Sequence, residues 1–104
     1  MNLWEGVDQK TYRLFLRYHE QNPRIWGQFK QYAFQMMQAG RKKGSAKEIM
    51  ERVRWEENLT RSEDQDFKIN NDFTSLYARK FIEKFPEAGG FFEFRKVSGL
   101  KRAA

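Results

Sequence analysis

A chain of 104 residues with ten phenylalanines, 16% aromatic and 33% charged, sets one domain with room for a core of its own. It contains no cysteine, which removes disulfides, thiolate chemistry and cysteine-based zinc sites and suits a reducing cytoplasm. A net charge of +6 and a mean hydropathy of −0.92, without a bilayer-length apolar run or a basic–apolar leader in residues 1–10, describe a soluble intracellular protein.

Residues 1–7 read as an irregular lead-in pinned by Leu3 and Trp4. Asp8 or Thr11 is placed to cap a first helix over 8–20, with Tyr12, Phe15, Leu16 and His19 on its inner side. His19 is the single histidine and reads as a packed or capping residue, since no other ligand stands at metal-binding spacing. Asn22 and Pro23 start a second helix over 23–39, the amide as cap and the proline in the first turn. Its stripe is Ile25, Phe29, Tyr32, Ala33 and Met36; Gly27 suggests a close helix crossing, and Gly40 a left-handed end. Ser45 and Glu48 form a capping box for a third helix over 46–58. Ile49, Met50 and Val53 face inward there, Trp55 extends the edge of the core, and Glu51, Glu56 and Glu57 pair with neighbouring arginines on the surface. Residues 60–66 form an acidic exposed loop without the central glycine of a calcium-binding loop.

Phe67, Lys68 and Ile69 alternate as a short strand does, and Asn70, Asn71 and Asp72 offer caps for a fourth helix over 72–85, ended by Pro86. Its inner stripe is Phe73, Leu76, Tyr77, Phe81 and Phe85. After the turn at Gly89 and Gly90, residues 91–97 read as a strand that pairs with 67–69. The expected fold is therefore mainly α with a small β-ribbon. It is a compact four-helix domain over 1–97, winged helix-turn-helix-like, with a flexible basic tail over 98–104. Its core should include Phe15, Trp26, Phe29, Met36, Ile49, Val53, Phe73, Tyr77 and Phe81.

Charge is unevenly spread. Residues 41–54 carry Arg41, Lys42, Lys43, Lys47, Arg52 and Arg54 against Glu48 and Glu51, a net +4. Residues 55–66 reverse to −4, and 95–104 return to +4 through Arg95, Lys96, Lys101 and Arg102. Two basic clusters around an acidic segment suggest one face for a polyanion and another turned away from it. Arg41, Lys42 and Lys43 lie between two glycines without the spacing of a nucleotide-binding loop, so they and Lys47 suit phosphate contacts that carry no sequence information. Asn70, Asn71, Thr74, Ser75 and Arg79 front the fourth helix with amides, hydroxyls and a cation, the groups that address base edges. Arg54, Arg95 and Lys96 extend the basic surface.

Several blocks are similar to a family of small uncharacterised proteins encoded by bacteriophages and prophages. They are Tyr18-His19 with Asn22-Pro23 and Trp26; Gly40-Arg41-Lys42-Lys43 with Ser45-Ala46-Lys47 and Arg54-Trp55-Glu56; Phe67-Lys68-Ile69-Asn70-Asn71; Tyr77-Ala78-Arg79; and Gly90-Phe91-Phe92 with Arg95. The resemblance covers residues 18 to 95 and implies a phage or bacterial origin, hence the cytoplasm of a bacterial host, but no activity. From the residues themselves the expected function is nucleic-acid binding, with duplex DNA met by the polar-fronted helix and the basic loop. The alternative is a protein-binding inhibitor or adaptor of a host nucleic-acid enzyme or defence system. No catalytic residue, metal site or cofactor is expected, because no nucleophile–base pair, ligand cluster or cofactor loop stands out.

Overall fold

The computed structural model describes residues 3–65 and 67–94. Among the described residues there are four α-helices: α1 (Gln9–Gln21), α2 (Pro23–Gln38), α3 (Ala46–Thr60) and α4 (Phe73–Lys84). Single 3₁₀ turns follow α3 (Glu63–Gln65) and α4 (Pro86–Ala88). The helices form a bundle in which α4 touches all three others, while α2 also packs on α1 and α3.

Local chemistry starts and ends most of these helices. The Asp8 carboxylate accepts the Thr11 N–H at 2.9 Å, and the Ser45 hydroxyl accepts the Glu48 N–H at 3.1 Å. Pro23 occupies the first turn of α2, but Asn22 does not cap that helix. Its side-chain amide donates to the Tyr18 carbonyl at 2.9 Å, so it closes α1 instead. Gly40, at φ +91°, ends α2 in a Schellman turn, with Gly40 N–H bonded to Met37 O and Arg41 N–H to Met36 O. Gly27 does not mark a helix crossing: a Cβ built there would meet nothing within 4 Å.

The core is aromatic and centred on α4. Phe15, Phe29, Tyr77 and Phe81 are wholly buried, and the Tyr77 ring meets Phe15 edge-on at 4.8 Å and Phe29 stacked at 5.7 Å. Phe91 and Phe92 close the floor beneath Phe81. Trp26 and Met36 are only half-buried, and Trp55 is not at the core's edge at all, with 64% of its surface exposed.

The expected ribbon is absent, and with it the wing of a winged helix. Among the described residues no strand forms; the one extended pairing is an isolated parallel bridge between Gly44 and Phe92. Residues 95–97 of the expected second strand lie outside the described residues. Two features explain the difference. The Phe67 N–H is taken by the Asn58 side chain at 2.8 Å, tying this segment to the end of α3. Phe91 and Phe92 are both buried, so consecutive side chains enter the core instead of alternating across a sheet. Gly44 accepts this crossing because it has no side chain: a Cβ there would lie 2.2 Å from the Phe91 ring.

Candidate functional site

The N-terminal ends of α1, α3 and α4 converge on one groove of about 760 Å³. The lead-in supplies Gly6, Val7 and Asp8, the start of α3 supplies Ser45 and Lys47, and the first turns of α4 supply Asn71, Thr74, Ser75 and Arg79. The floor is apolar, with Leu76, Ala78, Phe92 and Phe94. The lead-in is held by α4: Arg79 Nε donates to the Leu3 carbonyl at 2.8 Å, and the Trp4 indole N–H donates to Glu83 at 2.8 Å.

Five of the residues expected to touch nucleic acid thus share a wall: Lys47, Asn71, Thr74, Ser75 and Arg79. They are not equivalent. Arg79 is a fixed part of the fold, its guanidinium bonded to Leu3 O and Ser75 O and lying 4.7 Å from the Phe94 ring centre. Burial pulls its pKa down from the ordinary arginine value, although it remains a cation. Asn71 is exposed and makes no capping bond; it is the neighbouring Asn70 that accepts the Asp72 N–H, at 2.9 Å. Lys47 and Ser75 are exposed at the groove's mouth.

The remaining expected site residues lie elsewhere. Arg41, Lys42 and Lys43 are exposed on the loop that leads into Ser45, beside the groove but not in its wall. Arg54 is half-buried further along α3, and Asn70 is exposed before α4. Arg95 and Lys96 lie outside the described residues.

The electrostatics of the groove decide what it suits. Its wall brings Asp8, Asp72 and Glu93 against Lys47 and Arg79, so carboxylates outnumber cations. The Asp8 carboxyl is held below the ordinary carboxylate range by its hydrogen bonds from the Thr11 backbone and hydroxyl, and stays charged at neutral pH. A phosphate placed deep in the groove would meet these acids. The exposed cations of the 41–43 loop and Lys47 lie at the outside edge.

α4 itself is the most enclosed helix rather than a protruding one. Of its residues only Ser75, Glu83 and Lys84 are exposed, and a helix that reads the major groove must enter it with a whole face.

A second polar cluster escaped sequence reasoning. Glu57, 1% exposed, receives Gln28 Nε2 at 2.8 Å and Arg61 Nη2 at 2.9 Å, with Arg24 Nε at 3.0 Å. Burial pushes its pKa up, but the hydrogen bonds from Arg61 and Gln28 and the charge of Arg24 outweigh it and keep the carboxyl low. The i,i+4 spacing to Arg61 was visible in the sequence, but the contribution of α2 was not.

Among the described residues no group of three histidines, cysteines or carboxylates could hold a metal ion, and no helix is long and apolar enough to cross a membrane. No family model, curated protein or solved structure matches the chain, so the likeness to phage proteins gains no support and DNA binding has no relative to rest on.

Proposed function

We propose that the protein binds single-stranded nucleic acid, seating unstacked bases in the groove while the 41–43 loop and Lys47 meet the phosphates. The observation that carries this reading is the single wall shared by Lys47, Asn71, Thr74 and Ser75 above an apolar floor. A base is flat, largely apolar on its faces and edged with donors and acceptors. The floor of Leu76, Phe92 and Phe94 suits the faces, and the amide, hydroxyls and carboxylates suit the edges. The phosphates stay outside, where cations are exposed and no acid intervenes before Glu48. The recessed position of α4 favours a splayed strand over an intact duplex. The cytoplasm, where such strands are handled, is the setting that goes with this proposal.

Fluorescence anisotropy with labelled single-stranded DNA, single-stranded RNA and duplex of one sequence, at two salt concentrations, tests it. Single strands should bind more tightly than duplex. Ser75→Trp, which fills the groove's mouth, should weaken single-strand binding about tenfold, the size of one lost base stack. Replacing Lys42 and Lys43 by glutamate should flatten the salt dependence by about 0.7 in log–log slope for each lost phosphate contact. Equal binding of duplex, or no binding at low salt, overturns the reading.

The exposed Trp55 and Leu59 favour a second reading, contact with protein.

A further inference from the structure

Trp55 and Leu59 stand one turn apart on the outer face of α3, 64% and 65% exposed, in a protein whose other rings mostly pack in one core. Around them lie acids. Glu51 is one turn before Trp55, and Glu63 and Asp64 form the exposed turn that follows the helix. Of the nearby cations, Arg52 is paired with Glu56 at 3.6 Å, Arg61 with the buried Glu57 at 2.9 Å, and Arg54 is half-buried. An exposed indole with Glu51 one turn before it and an acidic turn closing its helix suits guanidinium and ammonium groups, which gain from the ring face and the charges together.

The chain carries such a group of cations. Arg41, Lys42 and Lys43 are all exposed, with no acid among them. They cannot reach the Trp55 face of their own molecule. The loop precedes the first turn of α3, and along a rigid helix at 1.5 Å per residue Trp55 lies about 14 Å and Leu59 about 20 Å from that turn. A two-fold meeting of the Trp55 face with itself would set acid against acid. We propose that the Trp55 and Leu59 face receives the 41–43 loop of a second copy, so that molecules join head to tail. Two apolar side chains supply only part of the roughly 800 Å² per partner of a specific interface, so the association is weak and screened by salt.

The Trp55 face is independent of the groove, but the loop it receives is the one assigned above to phosphates, so the test uses protein without nucleic acid. Sedimentation velocity over rising protein concentration should show association at low salt that is lost at high salt. Trp55→Ala with Leu59→Ala should abolish it, as should Lys42→Glu with Lys43→Glu, each with an unchanged melting curve because all four side chains are exposed. Each double variant keeps one intact surface, so a mixture of the two should again form dimers, and only dimers, since a chain cannot continue from a broken face. Overturning results are a monomer at every concentration at low salt, association indifferent to either pair, or a mixture that stays monomeric. At protein concentrations low enough to keep the wild type monomeric, Trp55→Ala with Leu59→Ala should leave oligonucleotide binding as it was, which separates this proposal's failure from that of the nucleic-acid reading.

Discussion

Near the C-terminal end of α3, Arg24, Gln28 and Arg61 bring two cations and an amide within 3.0 Å of the Glu57 carboxylate, while Lys47, Asn71, Thr74 and Ser75 line an open groove at its N-terminal end. Both ends use the same kinds of side chain. At the closed end the carboxylate is satisfied on both oxygens and can be buried because three partners surround it, although the Gln28 carbonyl oxygen finds no donor among the described residues. At the open end the Asn71 side chain makes no hydrogen bond among the described residues, its backbone carbonyl alone accepting the Thr74 N–H at 3.2 Å, and Lys47 makes no ion pair among them. Polar groups satisfied by each other hold helices together; polar groups left facing a cavity are available to something else.

Substitutions at the two ends should therefore behave differently. The largest effect belongs to the closed end: Glu57→Ala should cost about 3 kcal/mol in urea unfolding, since it leaves a void and takes the acceptor from Gln28, while the two arginines, 62% and 38% exposed, turn to water. A cost under about 1 kcal/mol would show that the network adds no more to stability than exposed ion pairs do. Next comes Gly44→Ala, beside the open groove, which should cost about 1–3 kcal/mol by driving a methyl group into the buried Phe91 ring. Its melting midpoint should fall although no polar group is touched.

Acidification sharpens the contrast by acting on groups within the bundle. His19 packs among Phe15, Trp26 and Tyr77, and burial, with Lys80 and Lys30 nearby, lowers its pKa from the ordinary 6.5. A depressed pKa means that the unfolded chain takes up the proton first. Stability is then full above pH 6.5 and falls as the pH drops from there towards the folded-state value. Glu57, lowered from the ordinary 4.5, adds a second loss that begins lower, as the pH falls through 4.5. Melting temperature against pH should show both steps, and His19→Leu should remove the upper one. A wild-type curve flat between pH 7.5 and 5 would contradict this.

The smallest effects belong to exposed positions. Gly27→Ala should stabilise α2 by up to about 1 kcal/mol, because the site is open and only helix propensity changes. Asn71→Ala should move stability by less than about 0.5 kcal/mol while weakening any ligand that uses the groove. A loss near 1 kcal/mol would instead mean that Asn71 caps α4.

The helix positions were legible because their signals act within four residues. Asp8 with Thr11, Ser45 with Glu48 and Gly40 with Met37 each close a turn with neighbouring backbone, so composition and spacing alone determine them. Hydrophobic spacing likewise placed Phe15, Phe29, Tyr77 and Phe81 inside. The groove was half legible: its α4 residues and Lys47 stood out by type, but nothing in the sequence sets Asp8 and Phe94 beside them. Only the tertiary structure decided that α4 is enclosed, that Trp55 faces outward while Glu57, two residues on, is buried, and that Phe91 and Phe92 cross Gly44 instead of pairing with residues 67–69. Each of those outcomes depends on a partner far along the chain. Gln28 lies 29 residues from Glu57 and Leu3 lies 76 from Arg79. A periodicity of 3.6 says which side chains share a face; which element covers that face is set by the packing of all four helices at once.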